Sequence, residues 1–441
     1  MTTSTSEQSS RAGFWSLWVT QFQGAFSDNV HKMLITFLIL GLRLPTNEED
    51  WLILWVGVLF ALPFVLFSMS GGWLANRYSK RLVTIGVKIL EIAVMALATV
   101  GLAFTNLELL LVCVFLMSLQ SALFGPSKYG LLPELLSEEK LSWGNGILAM
   151  GTNMAILLGT VAAGFLADYF AGRQFWSGAI LVGLACVGTL TSLGINRIPA
   201  ADPSARLRVN FLGDLFDQIA YMRRDRVLTL ALLGNAYFSF LGSLLIINVT
   251  LYGNNILHLS FRDNSLLQTA IAIGVGIGAV AAGYLSGRKI EYGLVPLGSV
   301  GITVFCALLA RPGLRLLDVS LLLAALGFFG GFFVVPISAI LQHRPESDRL
   351  GGVLGANNLL SFVGVMLGFA VNFALQKAGL TPRTIFFAGA VTTLAGTAYV
   401  LWLLPDSLLR LLLWMFTHSI YRIRVEGRDN IPERGGALFV C

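Results

Sequence analysis

Apolar residues run in twelve long stretches, at about 14–41, 51–75, 82–104, 106–125, 144–170 and 174–194, then 226–253, 264–286, 291–311, 317–342, 350–376 and 382–404. A helix crossing the hydrocarbon core of a bilayer needs roughly 20 mostly apolar residues, and these runs match that length. They are too long and continuous for strands of alternating character, which argues against a barrel. The pattern predicts an all-α membrane protein of twelve transmembrane helices in two six-helix bundles, divided by one polar loop from Asn196 to Asp225. Inside that loop Phe211, Leu212, Leu215, Phe216, Ile219 and Met222 recur at helical spacing and predict an amphipathic helix along the membrane surface. The expected units are a polar segment 1–13, a first bundle 14–194, the linker 195–225, a second bundle 226–405 and a tail 406–441 with a further interfacial stretch at Leu408–Phe416.

Composition strengthens the membrane reading. Only 12% of residues are charged, against about 25% in soluble domains, and 56% are hydrophobic. The polar first 13 residues lead into a long span with no small-residue cleavage site, so no removable signal peptide is expected. Lys and Arg gather on one side of the spans, at Arg77, Lys80 and Arg81, at Arg206, Arg208, Arg223, Arg224 and Arg226, and at Arg344 and Arg349. The opposite loops are poorer, with Arg43, Arg173 and Arg262 among their few cations. The positive-inside rule then places both termini in the cytoplasm. The same rule and anionic headgroups account for the net charge of +6, so no nucleic-acid partner is called for. Cys113, Cys186 and Cys306 lie in spans and Cys441 ends the sequence, with no CxxC or ligand cluster. No metal or cofactor is indicated.

The two halves echo each other at a fixed distance. Gly72-Trp-Leu-Ala-Asn-Arg77 and Gly283-Tyr-Leu-Ser-Gly-Arg288 are offset by 211 residues, as are Gly144 and Gly355, while Pro126 and Pro336 differ by 210. Such an offset is what duplication of a six-helix unit leaves. Gly274, Gly276 and Gly278, with Gly327/Gly331 and Gly364/Gly368, sit inside apolar spans and read as close helix packing rather than a nucleotide loop. His258-x4-Asp263 and His343-x4-Asp348 match a bare His-x4-Asp pattern in short loops and read as ordinary polar residues.

Charges within spans are costly, about 2.5–3.5 kcal/mol or more at mid-bilayer, and therefore mark candidate sites. Asp28 lies roughly 21 Å along the first helix from Phe14 at 1.5 Å per residue, and Lys32 follows one turn later on the same face. Facing a central cavity, the two suit a zwitterionic headgroup, carboxylate to ammonium and lysine to phosphate. Facing each other, they neutralise themselves. Lys88 and Glu91 form a second pair, either structural, with the loop of Arg77, or in contact with substrate. Gln120, Asn153, Asn235, Asn248 and Asn358 read as interhelical hydrogen bonds or ligand contacts. Asp28, Asn29, Lys32, Gln120, Asn153 and Asn235 are the substrate-binding candidates. Asn76, Arg77, Arg81, Lys88, Glu91, Lys128, Tyr129 and Arg288 are the gating or structural ones.

Gly72-Trp-Leu-Ala-Asn-Arg-Tyr-Ser-Lys-Arg81 resembles the loop between spans two and three of the major facilitator superfamily, with Asn76 where that family carries Asp. Gln21-Phe-Gln-Gly-Ala-Phe-Ser-Asp-Asn29 and Phe124-Gly-Pro-Ser-Lys-Tyr-Gly-Leu-Leu-Pro-Glu134 resemble the bacterial lysophospholipid transporters of the LplT type. Arg424–Pro432 and Gly435–Cys441 look like the opening region of a glycerolipid acyltransferase. The resemblances imply the transporter part of a longer fusion to such an enzyme, its catalytic motif beyond Cys441, with an acyl-carrier-protein synthetase as a further expected neighbour. The implied function is flipping of lysophosphatidylethanolamine or lysophosphatidylglycerol from the outer to the inner leaflet of the bacterial inner membrane, by alternating access, for reacylation. Two other readings stand beside it, a proton-coupled small-solute or drug antiporter and a non-transporting membrane anchor.

Overall fold

The computed structural model describes residues 2–42, 45–208, 210–287 and 289–403, with positions 413 and 416 of the tail. Among the described residues the chain forms thirteen helices and no strand. They are α1 (Thr2–Gly41), α2 (Thr46–Arg77), α3 (Lys80–Ala103), α4 (Leu107–Leu135), α5 (Glu138–Tyr169), α6 (Phe175–Ser192), α7 (Phe211–Met222), α8 (Arg226–Asn255), α9 (Phe261–Leu285), α10 (Leu294–Leu309), α11 (Leu316–His343), α12 (Leu350–Lys377) and α13 (Pro382–Leu403). All but α7 correspond to the twelve apolar stretches. Ten are long and apolar enough to cross a membrane by length and composition. The exceptions have visible causes: α10 is 16 residues long, and α1 carries Gln21, Gln23, Ser27, Asp28, His31 and Lys32 along its middle. Arg288 and the acyltransferase-like tail lie outside the described residues, apart from Leu413 and Phe416.

Two boundaries differ from the apolar pattern. The polar segment 1–13 does not stand apart, because α1 begins at Thr2. Helix α4 runs past the end of its apolar stretch to Leu135, through Pro126 and Pro133, which puts Lys128 and Tyr129 on the helix. Proline costs a helix one backbone hydrogen bond, and a membrane bundle tolerates that where neighbours satisfy the freed carbonyl.

Small residues set the tightest crossings. A Cβ on Gly274 or Gly278 would collide with the carbonyls of Ala324 or Phe328, and one on Gly327 or Gly331 with the backbone at Ile271 or Ala279, so α9 and α11 pack backbone to backbone. Gly364 and Gly368 do the same for α12 against α8, facing Ala236 and Phe240.

The repeat landmarks fall on the contact between halves. Gly72 on α2 faces Gly351 and Gly355 on α12, its Cβ position 3.3 Å from the Gly355 Cα. Gly283 on α9 faces Ser142 and Trp143 on α5, its Cβ position 2.9 Å from the Trp143 Cα. Gly72 and Gly283 are 211 residues apart, so the α2–α12 and α9–α5 crossings are pseudo-symmetric. Close backbone approach between the halves explains glycine at 72, 283 and 355, whereas Gly144 makes room for side chains of its own bundle, Leu136, Phe14 and Leu132.

Polar contacts close the same end. The Asn145 and Gln342 amides exchange two hydrogen bonds of 2.8 Å between α5 and α11. Asn76 donates to the Asp348 carbonyl at 2.7 Å and accepts from the Gly351 amide at 2.8 Å. Farther along, Asn358 donates to Ser68 at 2.8 Å, and at mid-span Phe64 stacks on Phe362 at 3.8 Å. The halves therefore meet along the end that carries the linker.

The linker is stitched into this closure. Its helix α7, capped by Asn210 on the Gly213 amide at 3.0 Å, buries Leu215, Gln218 and Met222 and leaves Leu212 and Phe216 exposed. Gln218 packs against Gly352 of α12. Upstream, the Asp202 amide donates to the Asn76 carbonyl at 2.9 Å, and Trp73 donates to the Ala205 carbonyl at 3.2 Å. Asp225 caps α8 and receives Arg344 Nε at 2.7 Å. Burial works to raise the Asp225 carboxyl, but the Arg344 hydrogen bond and the capped amides outweigh it and hold the carboxyl below its usual 3.8.

Candidate functional site

Inside the first bundle, α1 presents Asp28 to α4. Its Oδ2 accepts from Ser121 on α4 at 2.6 Å, and its Oδ1 has no partner among the described residues. Ser121 in turn accepts from Gln120 Nε2 at 2.9 Å, while Gln120 Oε1 is also unpartnered. One turn on, Lys32 does not pair with Asp28. Its ammonium lies over the Phe60 ring of α2, 4.7 Å from the centroid. Lys128 on α4, within electrostatic range of Asp28, lies over the ring of Tyr129 at 4.4 Å and of Phe124 at 5.9 Å. Among the described residues none of these three charges has an opposite charge within 4 Å. The self-neutralising arrangement of Asp28 with Lys32 is therefore not the one adopted.

Lys88 and Glu91 behave differently. Lys88 Nζ lies 2.6 Å from Glu91 Oε2 and 2.9 Å from Gln23 Oε1, and Gln23 Nε2 returns to Glu91 Oε1 at 2.9 Å. Both charged side chains are sealed, at 1% and 0% exposure, so Lys88 neither snorkels to the membrane surface nor pairs with the loop of Arg77. Gly24 and Gly188 make room for the cluster, since a Cβ on either would press on Lys88 Nζ or Gln23 Oε1. This is an ion pair that ties α3 to α1, with each partner hydrogen-bonded as burial requires.

The remaining candidates are distributed. Asn29 and Asn153 donate to carbonyls one turn back on their own helices, Ala25 at 2.8 Å and Ala149 at 2.9 Å. Arg81 donates to the Leu193 carbonyl at 2.8 Å, and Arg77 lies within electrostatic range of Asp202, both at the linker end. Asn248 donates to the Pro382 carbonyl at 2.9 Å, an interhelical bond of α8. His343 meets Glu138 at 3.2 Å, and Asp348 contributes its carbonyl to Asn76, so the His-x4-Asp pattern is spent on contacts between the halves.

Asn235 joins a group that sequence reasoning missed. Its Nδ2 donates to Asn357 and Ser361, each at 2.9 Å, and the three border a cavity of about 240 Å³ that also touches Tyr129, Ser239 and Asn358. The i,i+4 spacing of Asn235 with Ser239 and of Asn357 with Ser361 was the available signal. Polar residues one turn apart in an apolar span share a face. A larger hollow of about 930 Å³ lies at the far end of the first bundle, lined by Phe37, Asp168, Arg173 and Trp176, away from the contact between halves.

Residues 17–369 match the sequence model of the Major Facilitator Superfamily. The lysophospholipid transporter LplT of Klebsiella pneumoniae is 28% identical over 401 residues, 88% of this chain and 96% of the relative. That of Shigella boydii is 30% identical over 402 residues with the same coverage. Among solved structures, the human organic anion transporter MFSD10 (TETRAN) superposes with a TM-score of 0.73 at 14% identity, covering 88% of this chain and 98% of that one. The transporter FucP in its outward conformation gives 0.70 at 14% identity, with 89% and 98% covered. These likenesses, with the two six-helix bundles and their pseudo-symmetric crossings, have one reading: the chain is a multi-pass membrane transporter that belongs to the Major Facilitator Superfamily, among relatives named lysophospholipid transporter LplT.

Proposed function

We propose that the chain flips lysophospholipids from the outer to the inner leaflet by alternating access, with the headgroup held at Asp28, Lys32 and Lys128. The observation that carries this reading is the pair of charges one turn apart on α1, left unpaired with each other: Asp28 Oδ1 is without a partner and the Lys32 ammonium sits over a ring. A zwitterionic headgroup supplies both missing partners, an ammonium for the carboxylate and a phosphate for the lysines. Charges left without an ion-pair partner inside a membrane are costly, and a mere anchor has no use for them.

The Lys and Arg bias supports a cytoplasmic linker end at a bacterial inner membrane, with the closed end as the inner gate. Inward delivery suits the tail, whose 424–441 segment resembles an enzyme that acylates single-chain glycerolipids. The test is flipping of lysophosphatidylethanolamine in proteoliposomes, wild type against Asp28→Ala, with and without a proton gradient. Gradient-independent flipping that falls in the variant by about ten-fold or more, the worth of one charged hydrogen bond of about 1.5–3 kcal/mol, is expected. No flipping by folded wild type removes the lipid reading. Flipping only with a gradient favours the proton-coupled antiporter.

A further inference from the structure

The cavity bordered by Asn235, Asn357 and Ser361 has no charged residue in its lining. Its hydrogen-bond balance is specific. Asn235 spends its amide protons on Asn357 Oδ1 and Ser361 Oγ, Ser361 and Ser239 donate to carbonyls on their own helices, and Asn358 donates to Ser68. What remains among the described residues is the Asn357 Nδ2 donor, the two acceptors Asn235 Oδ1 and Asn358 Oδ1, and the hydroxyls of Tyr129 and Ser338, which can both donate and accept. A hydroxyl both donates and accepts, so neighbouring hydroxyls can satisfy this set completely. An ammonium would enter without a counter-charge and would meet the Asn357 donor. A phosphate inside the cavity would leave the two amide acceptors unmet.

Size and position agree. At about 240 Å³ the cavity is below the roughly 300–1,000 Å³ of drug-sized sites, so it fits a headgroup and not a whole lipid. Tyr129 lines it, and the Lys128 ammonium lies over that same ring at 4.4 Å. A phosphate held at Lys128 would therefore place the group beyond it at the cavity mouth.

We propose that this cavity is a subsite for an uncharged, hydroxyl-bearing group, the glycerol head of a lysophospholipid such as lysophosphatidylglycerol. It rests on the lipid reading above and deepens it. Asp28 serves a head with an ammonium, and the cavity serves a head without one. The shared chemistry is a vicinal diol, which a free polyol also carries.

The experiment measures flipping of lysophosphatidylglycerol and lysophosphatidylethanolamine side by side in proteoliposomes, for wild type, Asn357→Leu and Ser361→Ala, with free glycerol as competitor. The glycerol-to-ethanolamine rate ratio should fall about three- to ten-fold in Asn357→Leu, the worth of one or two neutral hydrogen bonds, and less in the milder Ser361→Ala, which keeps the test alive if the first variant misfolds. Free glycerol should leave both rates unchanged. An unmoved ratio in folded variants, with ethanolamine lipid still flipped, overturns the subsite and leaves the lipid reading standing. Flipping of neither lipid, with glycerol itself transported, overturns both and makes the chain a polyol carrier.

Discussion

Asn76 shows how much one amide can do at a gate. It stands where related transporters carry Asp, yet the structure uses both ends of the amide, donating to the Asp348 carbonyl and accepting from the Gly351 amide. A carboxylate could keep only the second bond. Asn76→Asp should therefore weaken the closed linker end by about 0.5–1.5 kcal/mol, the net worth of the lost exposed bond to the Asp348 carbonyl. Spin labels at Tyr78 and Ser347 in a cysteine-free background would show a broader, longer distance distribution. An unchanged distribution would mean the amide contributes nothing to closure. The buried pair invites a different test. Lys88→Ala leaves the Glu91 carboxylate sealed without its cation and should cost about 3–5 kcal/mol, seen as a lower melting temperature in detergent, whereas Lys88→Met with Glu91→Leu should recover most of it. Equal losses in the single and double variants would contradict the pairing. The Lys88–Glu91 pair was readable from its spacing, but the parts played by Gln23 of α1 and by the Asp348 and Gly351 backbone at Asn76 were not, because those partners are distant in sequence.

Elements were far more legible. The amphipathic spacing over 211–222 became α7 with those bounds, and the twelve apolar runs became the twelve long helices. Periodicity reports a helix directly because burial of one face, or of all faces in lipid, selects the residues. It failed where polarity and helicity part company. Lys128 and Tyr129 lie past the apolar run yet on α4, since backbone pairing continues after apolar side chains end. The glycine runs were read as packing and are packing. Gly278→Ala should displace the α9–α11 crossing and cost about 1–3 kcal/mol as an overpacked core does, because its Cβ would run into the Phe328 carbonyl. Gly242→Ala on α8, with open space at its Cβ, is the control and should melt like wild type. Equal behaviour of the two would show that α9 and α11 are not in backbone contact. Asp225 adds a pH dependence at the element scale. Its carboxyl is held below 3.8, so the stability it lends through the α8 cap and Arg344 is full above that value and lost as pH falls through the lower, folded-state one. Asp225→Asn should flatten the acid limb of the melting-temperature profile below about pH 4.

At the scale of the whole molecule, the duplicated landmarks give the two halves matching contacts at the linker end. Gly72 against Gly355 and Gly283 against residues 142–143 are corresponding crossings of α2 with α12 and of α9 with α5, an arrangement suited to the rocking proposed above. Chemistry did not follow the duplication. The first half carries the unpaired charges Asp28, Lys32 and Lys128, and the second offers only neutral amides and hydroxyls around Asn235. The repeat was visible in the sequence as an offset of 211, and so was the confinement of intraspan charges to the first half, but the shared space around Asn235 was not, because it depends on which polar residues of separate helices come together. Rocking has a direct consequence at Asn145 and Gln342, whose amides bridge α5 and α11 on the closed side. Cysteines at these two positions, joined by a short reducible linker, should hold the halves together there. Transport should fall at least about ten-fold on cross-linking and return on reduction, since alternating access requires that end to open. Lipid binding from the far end should persist in the cross-linked protein, measured as quenching of its tryptophans by a brominated lysolipid. Undiminished transport by the linked protein would rule out rocking about this interface and require a path that never passes between Asn145 and Gln342.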